Sequence, residues 1–164
     1  MKFQSQSITI LIAEDDQDDC LLIKEAFEEN GHGYNLVFVA DGIELFQYLR
    51  NEAAYAKSTS TARPDLILLD LNMPRMDGLE ALAELKADPD LRSIPVVVLT
   101  ISSTEQQVLR TYDLGGAGFI IKPVHTDEMI NVVKVLKQYW FEVVELSGGE
   151  HIRSYKSIDS DKNT

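Results

Sequence analysis

Short, nearly unbroken apolar runs recur along the chain, and between them lie stretches whose apolar residues repeat every three to four positions. Runs of strand length without polar alternation are what a parallel sheet covered on both faces requires. The pattern predicts strands over 9–13, 35–39, 66–69, 96–99 and 119–121, where β-branched and aliphatic residues concentrate. Cys20, Ile23, Ala26 and Phe27 fall on one helical stripe within 18–30, and Gly31 stands at the stop. Further helices are predicted from 42 to about 55, over 78–87 with Pro89 beyond, over 104–114 with Gly115 as stop, and from 126 to about 146. Five strand and helix pairs in alternation make an α/β domain of βαβ units.

Residues 56–62 read AKSTSTA, a polar stretch that belongs in an enlarged surface loop. Residues 1–7 are read as a short N-terminal extension, and 147–164, rich in Gly, Ser, Asp and Lys without periodicity, as a flexible tail. The domain proper then spans 8–146, and no second domain is expected within the 164 residues. A formal net charge of -12 repels a phosphate backbone, so no nucleic-acid partner is expected. The longest apolar run, Pro95-Val96-Val97-Val98-Leu99, falls far short of the ~18 residues a membrane span needs, so no membrane contact is expected either. Cys20 is the single cysteine, which rules out an intrachain disulfide, and the opening MKFQSQS carries no apolar signal segment. A cytoplasmic location is therefore expected.

In an open parallel sheet, ligands bind beyond the carboxyl ends of the strands. Those ends carry Glu14-Asp15-Asp16, Asp70, Thr100 and Lys122-Pro123. Carboxylates from two strands meeting at one edge repel each other, and a hard divalent cation with oxygen ligands relieves this most directly. Mg²⁺ suits such a half-open site, because it takes one or two carboxylates, keeps several waters and completes its shell with phosphate oxygens. A carboxylate can attack phosphorus in line to give an acyl phosphate, provided cations neutralise the charge spread over the equatorial oxygens. Lys122 and a metal supply that charge, and Thr100 offers a hydroxyl donor.

The segments LIAEDD, LILLDLNMPRMDG, VVVLTISS and GFIIKPV, in this order and spacing, resemble the successive motifs of bacterial response-regulator receiver domains over roughly residues 8–146. The resemblance implies a flavodoxin-like, doubly wound five-stranded parallel sheet of order 2-1-3-4-5 with helices on both faces. It also implies a two-component phosphorelay in which a sensor histidine kinase phosphorylates Asp70. Carried over by position, Asp15 and Asp70 resemble direct Mg²⁺ ligands, Glu14 a ligand through water, and Asn72 the donor of a backbone carbonyl. Lys122 resembles the lysine that contacts the phosphoryl group, and Pro123 follows it where the family commonly has a cis peptide bond. Thr100 resembles the hydroxyl that moves toward the phosphate. Phe119 stands where many receivers place a switching tyrosine; it can swing inward but has no hydroxyl to hydrogen-bond. Ile101 follows Thr100 where many relatives have a small residue, and is expected to narrow access to the phosphoryl group.

The polar loop before Arg63-Pro64-Asp65, the stretch DPDLRSIPVVVLT and the later YWFEVVELS resemble stand-alone receivers that accompany cyanobacterial and other bacterial phytochromes, which makes a phytochrome the expected kinase. The last helix carries apolar residues around more than one face, among them Tyr139, Trp140, Phe141 and Val144, so a homodimer through that helix is expected. Each site residue has an ordinary alternative when taken singly: Thr100 as a strand end, Lys122 as solvated, Asp16 as a helix N-terminal acid. A haloacid-dehalogenase-type phosphatase would also use a strand-end aspartate, but it needs a second acid where this chain has Asn72. A phosphorylation-independent pseudo-receiver would lack an acid, the acceptor or the lysine, and all are present. The expected product is a switch with weak phosphotransfer and autodephosphorylation activity of its own.

Overall fold

The computed structural model describes residues 8–51, 62–101 and 104–143. Strands β1 (Ile8–Ala13), β2 (Tyr34–Val39), β3 (Leu66–Leu69), β4 (Val96–Thr100) and β5 (Gly118–Ile121) form one sheet in the order β2-β1-β3-β4-β5. Every neighbouring pair is parallel. Helices α1 (Gln17–Glu29), α2 (Gly42–Leu49), α3 (Gly78–Ala87) and α4 (Glu105–Asp113) lie in the four connections, and α5 (Thr126–Lys137) follows β5. This is the flavodoxin-like receiver fold expected above.

The continuous apolar runs are explained by two cores, one on each face. Leu11, Ala13, Ile67, Leu69 and Val96 pack against α2 and α3 through Leu45, Phe46, Ala81, Leu82 and Leu85. The alternate positions Ile10, Ile12, Leu66, Leu68, Val97 and Leu99 pack against α1 and α5 through Ile23, Phe27, Met129, Val133 and Leu136. Successive strand residues point to opposite faces, so both sets must be apolar.

Helix starts are set by side-chain caps. Asp16 accepts from the Asp18 and Asp19 amides, Asp41 from Glu44, and Asp77 from Glu80, while Thr104 and Gln107 form a reciprocal capping box. Gly31 and Gly115 take φ values of 117° and 98° at the ends of α1 and α4, the left-handed conformation that glycine adopts at least cost.

The predicted boundaries shift in three places. α2 ends at Leu49, short of the predicted 55, with Arg50 as its C-cap and Asn51 turning the chain at φ of 55°; residues 52–55, the polar loop up to 61, the N-terminal extension and the tail lie outside the described residues. The Lys122–Pro123 bond is trans, as is every described peptide bond, against the cis bond expected there. Finally, α5 does not run on as a plain α-helix but passes into a π-helical segment over Gln138–Val143. Phe141 lies five residues after buried Leu136, a step that turns roughly 140° in an α-helix but returns to the same side in an i→i+5 helix. Trp140 and Phe141 therefore rest half-buried on the protein's own core, with the Phe141 ring 5.9 Å from Tyr34. Of the residues expected at a dimer interface, only Tyr139 is left well exposed, beside Val135, and Val144 lies outside the described residues.

β1 has β2 on one side and β3 on the other, so the winding reverses between them and opens a crevice at their carboxyl ends.

Candidate functional site

Glu14, Asp15 and Asp16 leave β1 at this crevice, Asp70 leaves β3, Thr100 ends β4 and Lys122 follows β5. The crevice is lined by Glu14, Asp15, Asp16, Asp70, Asn72 and Ile101, among others. Glu14, Asp70, Thr100 and Lys122 are buried, whereas Asp15 and Asn72 are exposed at the mouth. The predicted phosphoryl site therefore assembles around buried charge.

Asp70 is held from both sides. Its Oδ1 accepts from the Thr100 hydroxyl at 3.0 Å and from the Asn72 amide at 3.2 Å. Its Oδ2 lies 3.7 Å from Lys122 Nζ, an ion pair too long for a hydrogen bond. The Asn72 side-chain amide donates to Thr100 Oγ1 at 3.4 Å. Under the loop, Gly78 presses against the acceptor strand: a β-carbon there would collide with the Asp70 carbonyl oxygen and come within 2.7 Å of Leu71 Cα. Only glycine lets α3 begin this close to Asp70.

Lys122 is drawn mainly to other acids. Its ammonium lies 2.5 Å from Glu14 Oε2 and 2.9 Å from Asp19 Oδ2. Burial disfavours the cation, but the hydrogen bonds to Glu14 and Asp19 outweigh it and raise the lysine pKa. For Glu14 burial is the largest influence and pushes the carboxyl up to about 7, against the pull of Lys122 and the Asp16 amide. The Cys20 thiol, donating to the Glu14 carbonyl, is pushed up to about 11 by burial and the surrounding carboxylates, so at neutral pH it is neither a thiolate ligand nor a nucleophile.

Carboxylate oxygens of Glu14, Asp15 and Asp70 all lie within 4.8 Å of one another. Three hard oxygen donors this close, two of them buried, fit one divalent cation such as Mg²⁺ or Mn²⁺ and disfavour an empty site through mutual repulsion. Ile101, 64% exposed, stands on the rim. Phe119 is half-buried in β5, paired with Val98, two residues before the Thr100–Ile121 pair and on the same sheet face.

Two features were not read from the sequence. Asp19 approaches Lys122 although it lies five residues beyond Glu14, on α1; in a row of acids at a helix start it looks like one more charge favoured by the helix dipole. Arg75, in the loop after β3, hydrogen-bonds Asp41 at 2.6 Å and takes φ of 64°. Asp16 lines the crevice but serves as the α1 cap and is not one of the three clustered carboxylates, the reading that its position one place past the acidic pair allowed.

Residues 10–134 match the model of the response regulator receiver domain. Response regulator Rcp1 of Synechocystis sp. is 37% identical over 84% of this chain and 91% of its own length. The crystal structure of the phosphorylated cyanobacterial phytochrome response regulator RcpA is 40% identical, covers 87% of this chain and 99% of that one, and superposes with a TM-score of 0.79. The Mn²⁺-bound form of Rcp1 is 36% identical over 86% and 99% of the two chains, with a TM-score of 0.77.

Proposed function

The chain belongs to the response regulator receiver domain family, whose members are signalling switches with a divalent-metal site in the acidic pocket, and from that premise we propose that Asp70 accepts a phosphoryl group from a sensor histidine kinase. The observation that carries this is a buried carboxylate with a hydroxyl and an amide on one oxygen and an ammonium 3.7 Å from the other.

In the reaction an Asp70 oxygen attacks the phosphorus of a phosphohistidine in line. The new P–O bond forms as the P–N bond breaks, and the electron pair goes to the departing imidazole nitrogen, which takes a proton from solvent. Lys122 faces the oxygens on which charge develops, and the Thr100 hydroxyl turns from Asp70 to a phosphoryl oxygen. Asp15, Asp70 and the Asn72 carbonyl would hold Mg²⁺ directly and Glu14 through water. When bound, the metal neutralises the carboxylate cluster and the charge of transfer. Ile101 on the rim restricts water, so hydrolysis by the chain itself is slow.

Loss of the Thr100–Asp70 hydrogen bond is the step that reaches Phe119, along the shared face of β4 and β5, and biases two arrangements of that edge. The similarity to Rcp1 and to RcpA, a phytochrome response regulator, supports a phytochrome as the kinase. No described helix is long and apolar enough to cross a membrane, which is compatible with a cytoplasmic signalling role. The exposed Val135 and Tyr139 leave a small apolar face through which two copies would associate, with the half-buried Trp140 and Phe141 contributing at its margin.

Incubation with an acyl-phosphate donor should add one phosphoryl group by intact mass only when Mg²⁺ is present. Labelling in excess chelator would refute the metal-assisted reading, and no labelling at all would favour the phosphorylation-independent module. Light scattering with and without beryllofluoride tests the homodimer, and a monomer in both states would remove it.

A further inference from the structure

An ammonium has three donors on a flexible four-carbon stem, and one anchor would leave it free to swing. Here two carboxylates from different elements hold Lys122: Glu14 from the end of β1 at 2.5 Å and Asp19 from the first turn of α1 at 2.9 Å. Asp19 is itself fixed, because its amide donates to Asp16 Oδ1 at 3.0 Å within the α1 cap. The third acid near the ammonium is Asp70, whose Oδ2 lies 3.7 Å away, beyond hydrogen-bond reach.

We propose that Asp19 is a positioning residue: with Glu14 it clamps the Lys122 ammonium so that the remaining N–H faces the space above Asp70 that a phosphoryl oxygen enters. The proposal rests on the reading of Lys122 as the phosphoryl contact. Geometry favours a clamp over a competitor, since a phosphoryl oxygen can take the third donor without displacing either acid. A charge acting only through its field would have the opposite effect, since an extra anion beside the lysine weakens attraction for an incoming anion.

The two roles separate in calorimetric titration with beryllofluoride at saturating Mg²⁺, a tetrahedral stand-in for the phosphoryl group on a carboxylate. Asp19→Ala, which removes a hydrogen bond to a charged group, should weaken binding about tenfold. Asp19→Asn keeps an oxygen acceptor in place and should remain within about threefold of the parent. Thermal unfolding is followed in parallel; should Asp19→Ala fail to fold, Asp19→Ser, too short to reach Lys122, should show the same loss. Equal or tighter binding by the alanine or serine variant overturns the clamp, as does an asparagine variant no better than alanine. Lys122→Ala is the reference. Unchanged binding there would overturn the reading of Lys122 itself, whereas weakened binding there with none in Asp19→Ala would remove Asp19 alone.

Discussion

Lys122 and Arg75 each meet a carboxylate near the acceptor loop, but the Lys122 side chain is 2% exposed and that of Arg75 is 56% exposed. Desolvating a cation among three acids is worthwhile for stability only when every donor is used, and Lys122 keeps its third donor at 3.7 Å from Asp70. That unfinished arrangement is suited to an anion that arrives later. Arg75 instead closes a short contact with Asp41, which also caps α2, and so ties the loop after β3 to the start of the neighbouring helix. The same pairing of charges thus leaves a donor for a later anion where the cation is buried, and holds the shape of a loop where the cation is exposed.

The largest effect should come from Lys122→Met. Phosphoryl labelling should fall about a hundredfold, the usual loss of one charge-stabilising donor. In the absence of metal, denaturant unfolding should register a loss of about 3 kcal/mol, because Glu14 and Asp70 are left facing each other without the cation. A variant that labels at the parent rate would break the contrast.

Arg75→Ala should leave labelling nearly intact and cost a smaller amount of stability. Burial alone would raise the Asp41 pKa, but the Arg75 hydrogen bond and the Glu44 amide hold it below the usual carboxylate value of 3.8. A depressed carboxylate contributes stability that is present at neutral pH and lost as pH falls below that value. The gap between parent and variant should therefore close on acidification, and a gap that widens would mean that Arg75 acts otherwise. Since Arg75 holds φ of 64°, Arg75→Gly should lose less than Arg75→Ala, for glycine takes that conformation without the steric cost.

The smallest effect concerns the rim. Ile101→Ala should shorten the phosphorylated lifetime about threefold, a fraction of a kcal/mol in the barrier to hydrolysis. An unchanged or longer lifetime would show that access is governed elsewhere, with Asn72, which also lines the crevice, the next side chain to test.

Much of this was legible in the sequence because burial on both faces leaves little choice. LILL at Leu66–Leu69 is buried at all four positions, and its run could only be a strand between two layers. Gly78, a residue type that lets backbones pack closely, opens α3, and the approach it permits is to Asp70 itself. Convergence at the strand ends followed from the parallel order, so Glu14, Asp15, Asp70, Thr100 and Lys122 could be named together. What escaped depends on side-chain reach across elements. Asp19 contacts a residue 103 positions away, and no local pattern separates it from its acidic neighbours. The change of helical pitch after Lys137 also left no mark, because a run that is apolar all round hides which face turns inward. The breadth taken as a surface for a second copy is in large part explained by Trp140 and Phe141 resting on the protein's own core.

The most direct test is where the phosphoryl group resides. After phosphorylation by an acyl phosphate with Mg²⁺, reduction with borohydride converts an aspartyl phosphate to homoserine, which peptide mass mapping locates. Conversion at Asp70 alone, absent in Asp70→Asn, is the predicted result. Homoserine at Asp15, Asp16 or Asp19, or undiminished labelling of the asparagine variant, would contradict the assignment of Asp70 as the acceptor.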